Sequence, residues 1–317
     1  MHPPVRPSGR RGSGLAWLPV VVMAGWWLHD LSFQWASLVE YRFGWMVLML
    51  AVFLGWERWP NRPRDDRPAP LALSLALAGL GLPCVLGAEL YKIGVARVPS
   101  SSFLLSVGTF FFLAAGVLQA GGPRTLRHFL FPLLFFLVAV PLPKLLWNPV
   151  VLGLQGLITR LNVEALNLLG IPAQQFGNVI QLPNTQVGVD EACSGVRSLQ
   201  SSVMAGLFVG DLMLRRPGWK VVFLGAGVAL AMVGNLGRAL SLALAAHRGG
   251  SSALDAIHDT AGWSVLAFTA AGVALLAGWF SRLEQRAMAR QARGAVGGAA
   301  RGAEALSPPE GPSGAAS

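Results

Sequence analysis

The chain has 317 residues, of which 53% are hydrophobic and only 13% charged, and it carries a net charge of +10. A soluble domain is about a quarter charged; here the deficit accompanies repeated apolar runs close to the roughly 17–25 residues that a membrane-crossing helix needs. A soluble globular enzyme is therefore excluded. The basic residues lie in short loops and tails between those runs, which argues for membrane topology and against nucleic-acid binding.

In chain order, eight apolar segments cover residues 14–31, 43–56, 71–91, 103–120, 128–143, 196–213, 221–245 and 260–280. The first lacks a small-residue cleavage site and is followed by many others, so it is expected to be a retained helix and not a removed signal peptide. Pro132, Pro141 and Pro143 make the fifth the least regular. Residues 1–13 and 282–317 are rich in Gly, Pro, Ala and Arg without hydrophobic periodicity, and are expected to be disordered tails. The expected fold is an all-α polytopic membrane protein of about eight transmembrane helices, with its membrane domain at 14–281.

Eight crossings place the two tails and the loops 57–70, 121–127 and 214–220 on one side, with 17 of the 25 Lys and Arg residues. The other side has six: Arg42, Lys92, Arg97, Lys144, Arg160 and Arg248. The positive-inside rule then puts both termini in the cytoplasm. The segment 144–195 faces outward from the cytoplasmic (inner) membrane. Within it, residues 149–169 repeat apolar residues at helical spacing, with Leu154, Leu157, Ile158, Leu161 and Leu168 near one face. Such an amphipathic helix lies in the interface or packs over the bundle. Residues 176–190, with a Pro183-Asn184-Thr185 turn between apolar positions, suggest a short β-hairpin leading to Cys193.

The polar residues that matter for chemistry collect at the outward ends of the last three segments. The two cysteines, Cys84 and Cys193, form no disulfide framework and are expected to be free thiols. Cys84 sits in an apolar run as a packing residue. Cys193 follows Glu191 in a polar, Gly- and Ser-containing stretch at the start of a helix, and Arg197 lies one turn deeper on the same face. A thiol's ordinary pKa of ~8.5 falls near a cation or a helix N-terminus, which makes the reactive thiolate. Arg238 lies inside an apolar run, where an unpaired arginine costs roughly 2.5–3.5 kcal/mol. It either snorkels outward or stabilises a thiolate or developing oxyanion, with Asn235 one turn earlier. His258 opens the eighth segment and is a natural proton shuttle. Asp259 beside it would face another direction on a regular helix, and Asp255 is another possible orienter. A zinc site would need three or four ligands at motif spacing, which this cluster does not supply. No phosphate-binding loop is present either, so no cofactor is expected.

These residues carry a resemblance. The stretches Glu191-Ala192-Cys193-Ser194-Gly195-Val196-Arg197-Ser198, Gly234-Asn235-Leu236-Gly237-Arg238 and His258-Asp259-Thr260-Ala261-Gly262-Trp263 resemble the exosortase/archaeosortase family of multipass membrane cysteine enzymes. Gly177-Asn178 and Gln181-Leu182-Pro183 resemble that family's lead-in to the cysteine. The likeness spans roughly 15–281 and is strongest from 176 to 264. It implies a cysteine peptidase or transpeptidase that cleaves secreted proteins near a short C-terminal signal followed by a membrane helix and a basic tail, by hydrolysis or with transfer of the new carboxyl end to an acceptor. It further implies Cys193 as nucleophile, Arg238 as electrostatic partner and His258 as general acid and base, with Arg197 a supporting candidate in the first motif. Glu191, Asn235 and Asp259 are supporting candidates. The partners implied are such secreted proteins and membrane lipid, with any accessory function on a separate protein and no nucleic acid. The alternative is a non-enzymatic transporter or export-system component using Arg238 and His258 for ligand or proton handling. Against it, no repeat relates the two halves, and the polar residues cluster at one membrane edge instead of the centre.

Overall fold

The computed structural model describes residues 17–63, 71–189 and 196–306. The apolar runs form helices: α1 (Leu18–Ser37), α2 (Gly44–Arg58), α3 (Leu71–Gly94), α4 (Pro99–Phe136), α5 (Lys144–Leu168), α6 (Val196–Met213) and α7 (Pro217–Leu306). A 3-10 turn, Val39–Tyr41, joins α1 to α2, and another, Leu137–Ala139, follows α4. Between α5 and α6 lie three short strands, β1 (Gln174–Phe176), β2 (Val179–Gln181) and β3 (Gln186–Gly188), forming an antiparallel sheet in that order. Among the described residues, five helical stretches are long and apolar enough to cross a membrane: Val39–Arg58, Leu71–Gly94, Pro99–Ala139, Pro217–Gly250 and Ala256–Arg293. The protein is thus a mostly helical polytopic membrane protein with a small three-stranded sheet.

Two helices are interrupted by glycines in conformations that a Cβ disfavours. Gly122 breaks α4 with φ 83° and ψ 177°; Gly249 and Gly250 break α7, the latter with φ 66° and ψ −156°. The contacts show that α4 doubles back at its break. Gln34 donates to Ser102 Oγ at 2.9 Å and Val20 faces Gly116, so the first limb runs antiparallel to α1. The second limb runs antiparallel to α2, because His128 Nε2 lies 2.9 Å from Arg58 O while Trp35 Nε1 donates to Ala139 O at 2.8 Å. Ser102 and Ala139 therefore reach the same end of the bundle. The α7 limbs are likewise antiparallel, with Gly227 opposite Val273 and Leu230 packed against Gly272.

Each end is tied by charge. At one end Asp211 of α6 takes Arg58 of α2 and, at 2.7 Å, Lys220 of α7, while Glu284 accepts from the backbone N–H groups of Arg215 and Arg216. At the other end buried Asp30 lies 2.7 Å from Lys92 Nζ and 3.6 Å from Arg97 Nε. The apolar core falls into three clusters. Trp27, Leu31 and Trp35 pack with α2 and α4, and Phe223 and Phe280 join the limbs of α7 near Leu214. The third sets Ile158 and Leu166 of α5, together with Ile180, Val187 and Val189, on the alanine face Ala239, Ala243 and Ala246 of α7. In the sheet Ile180 pairs with Val187, and both turn to that face.

Three features differ from what the sequence pattern suggests. Of the face formed by Leu154, Leu157, Ile158, Leu161 and Leu168, helix α5 fully buries only Ile158. Val151, Gln155, Ile158, Thr159, Asn162 and Leu166 turn inward, and Leu157 and Leu168 stay exposed. The polar members of that face are tolerated because Thr159 and Asn162 donate to carbonyls four residues back, at 2.8 Å each. The helix of α7 continues to Leu306, beyond the boundary at 281 where a disordered tail was expected. The stretch 282–291 is built of strong helix formers, and Glu284 anchors it to α6–α7, which composition alone hides. Finally, the last limb begins before residue 260, so His258 sits about two turns inside it and not at its start.

Candidate active site

The Gly249–Gly250 turn decides where Arg238 and His258 meet. Arg238 lies about ten residues before it and His258 about eight after, or roughly 12–15 Å of helix on either side at 1.5 Å per residue. Antiparallel packing brings the two to one depth, with Arg238 Nη2 3.4 Å from His258 Nε2. An arginine only donates, so in a neutral ring this contact is a hydrogen bond when Nε2 is the unprotonated nitrogen. Nδ1 in turn lies 3.4 Å from Asp259 Oδ1. Asp259 thus reaches its neighbour in spite of their different helical directions, although its side chain is 96% exposed. Gly262 completes this corner one turn beyond His258. A Cβ there would lie 3.7 Å from Arg238 Nη2, an ordinary van der Waals contact, so Gly262 places this turn against the guanidinium.

Arg197, in the first turn of α6, borders the same cavity of about 330 Å³ as Arg238, His258, Asp259, Gly262 and Trp263. Asn235, one turn before Arg238, is 1% exposed. Four of the sequence candidates, Arg197, Arg238, His258 and Asp259, are therefore gathered at one cavity. Glu191 and Cys193 lie outside the described residues, and the side chain of Asp255 does too. The residues nearest that gap on either side, Val189 and Val196, are 2% and 1% exposed. Val189 packs in the cluster on the α7 alanine face. Cys84, in α3, is a free, half-buried thiol.

Sequence reasoning missed two contributors. Trp263 borders the cavity at 72% exposure; it closes the His258–Trp263 stretch in sequence, but nothing there assigned it a place at the site. Asn184, in the β2–β3 turn, donates through Nδ2 to His247 O at 2.7 Å. It satisfies a carbonyl at the end of the first α7 limb that the helix itself leaves unpaired. Nothing local to Asn184 signals a partner 63 residues away.

Two guanidinium groups and an imidazole around one cavity, at the end of a membrane bundle opposite the Arg58–Asp211 tie, supply fixed positive charge and a proton carrier. Such groups can stabilise a developing negative charge and carry a proton. Residues 35–276 match the family described as transmembrane exosortase (Exosortase_EpsH), and the chain belongs to that family. It is therefore a multi-pass membrane protein of the sorting-transpeptidase class, whose members are generally cysteine transpeptidases or proteases acting on secreted proteins with C-terminal sorting signals. Neither the curated proteins nor the solved structures give a match.

Proposed function

We propose that the chain is a cysteine peptidase and transpeptidase working at the outer face of the cytoplasmic membrane. It cleaves the C-terminal sorting signal of a secreted protein and passes the new carboxyl end to an acceptor amine or to water. The observation that carries this reading is the meeting of Arg238 and His258, 3.4 Å apart on two antiparallel limbs, beside Arg197 of the helix that Cys193 precedes.

In this reading His258 takes the thiol proton of Cys193, and the thiolate attacks the scissile carbonyl carbon. A neutral imidazole accepts from Arg238, whereas a protonated one repels it. Proton transfer to His258 therefore frees the Arg238 guanidinium to face the oxyanion of the tetrahedral intermediate. The C–N bond then breaks, the amine leaves with the proton from His258, and a thioester remains on Cys193. An acceptor amine or water attacks the thioester and gives its proton through His258 back to sulfur. Asp259 steadies the Nδ1 side of the ring, buried Asn235 holds the helix face beside Arg238, and Glu191 borders the nucleophile in sequence.

The topology that goes with this chemistry has eight crossings: α1, α2, α3, both limbs of α4, α6 and both limbs of α7. The antiparallel contacts of α4 and α7 support it, as does the concentration of basic residues at the Arg58–Asp211 end. The termini are then cytoplasmic, and α5 and the sheet lie on the outer side.

The test is a processing assay in membranes. It pairs wild type or Cys193→Ala with a tagged protein from the same genome bearing a C-terminal signal, a membrane helix and a basic tail. Loss of the tail with wild type alone, together with a thiol-sensitive covalent adduct, is the expected result. Equal processing by both removes Cys193 as nucleophile.

A further inference from the structure

The two limbs of α7 touch low and part high. Gly227 faces Val273, Leu230 packs on Gly272, and a Cβ at Gly234 would stand 3.0 Å from Phe268. Toward the outer end the limbs separate around a cleft of about 540 Å³ whose walls include Gly237, Ser241, Ala261, Ser264 and Val265. A Cβ at Gly237 would meet no atom within 4 Å. The serine hydroxyls are returned to their own helices, Ser241 to Arg238 O and Ser264 to Thr260 O, each at 2.8 Å. Apart from Arg238 and Thr260, the wall therefore presents hydrocarbon and bare backbone. Arg238 lines both this cleft and the cavity that holds His258.

We infer that this cleft is a lateral entry that seats the upper turns of the substrate's membrane helix, an assignment that rests on the cysteine transpeptidase reading above. A peptide bond presented to Arg238 and His258 is followed in such a substrate by an apolar helix descending into the bilayer. The cleft joins the cavity at Arg238, and on the second limb its walls run from Ile257 to Phe268. Those twelve residues descend about 16 Å, or three helical turns. Its rim is open to the bilayer side, with Val233 61% and Phe268 46% exposed. Glycine, alanine and serine walls let a second backbone approach closely, which is how helices associate in lipid without a hydrophobic driving force. Continuity with the catalytic cavity, apolar walls and this depth favour a substrate helix over a polar ligand.

The experiment uses full-length Cys193→Ala enzyme in membranes, carrying a photoreactive amino acid at Val233 or Ser264, or at exposed Leu80 on α3 as a reference position. The probe is the tagged, membrane-anchored reporter described above. The expected result is reporter adducts at Val233 and Ser264 about tenfold above those at Leu80, since packed helix contacts are specific while lipid-facing encounters are not. Equal yields, adducts to lipid alone, or enzyme–enzyme adducts alone overturn the assignment. In the otherwise wild-type enzyme, Ser264→Trp narrows the cleft. Its effect on kcat/KM for the anchored reporter should exceed its effect on a short signal peptide lacking the helix by about tenfold, the scale of a lost apolar contact. Equal losses on both substrates overturn it as well. Processing by Cys193→Ala sinks the catalytic reading instead, and the crosslinks report cleft occupancy independently of catalysis.

Discussion

Arg238 and His258 differ from Asp259 in how firmly the fold holds them. Arg238 is half-buried among α7 residues and faces Nε2, whereas Asp259 is 96% exposed and its contact is screened by water. His258→Ala should therefore abolish processing, while Asp259→Ala should lower kcat by less than about tenfold, since exposed pairs contribute little. Rates normalised to membrane abundance check this, and comparable losses in the two variants would contradict it. Arg238→Lys keeps the charge but not the planar fork. It should still lose roughly a hundredfold in kcat, the usual effect of removing one oxyanion donor. The identities of these residues were readable because an arginine in an apolar run and a histidine at a polar helix boundary stand out against leucine. That Asp259 reaches Nδ1 was not readable, because side-chain torsion and not helical direction sets that contact.

At the scale of elements, glycine conformation determines what hydropathy only outlines. Apolar runs interrupted at 121–127 and again after 245 announce turns, but the turns shrink to Gly122 and to Gly249–Gly250. Gly122 at φ 83° and ψ 177° occupies a region that only glycine enters freely, and Gly122→Ala should cost about 1–3 kcal/mol. Thermal or denaturant unfolding of the purified protein would read that loss; an unchanged midpoint would show that α4 can turn without strain. Helix α5 teaches the complementary lesson. Its leucine stripe gives the helix away in sequence, yet the buried face is the one carrying Gln155, Thr159 and Asn162. Periodicity reports that a helix is amphipathic, and in a bilayer an exposed apolar stripe carries no cost that would force it inward.

Across the whole molecule, the two ends are chemically unlike. The Arg58–Asp211–Lys220 tie and the Glu284 anchor sit at the end rich in arginine, and α5, the sheet and the Arg238–His258 pair sit at the other. On the proposed topology a cysteine placed at exposed Asn184 should react with a membrane-impermeant maleimide in intact cells, and one at Arg290 only after permeabilisation. Labelling in the opposite order would invert the protein and its proposed substrate side. The sequence by itself determined that the chain is a polytopic helical membrane protein, where its basic residues concentrate, and which residue types are candidates for chemistry. Those properties follow from transfer free energies and charge, which act residue by residue along the chain. The tertiary structure alone decided that the turns in α4 and α7 close at Gly122 and at Gly249–Gly250, that the sheet docks on the α7 alanine face, and that Arg197, Arg238 and His258 share one cavity. Contacts between residues far apart in sequence depend on how helices pack and turn, and a one-dimensional pattern of apolar and polar residues leaves that open.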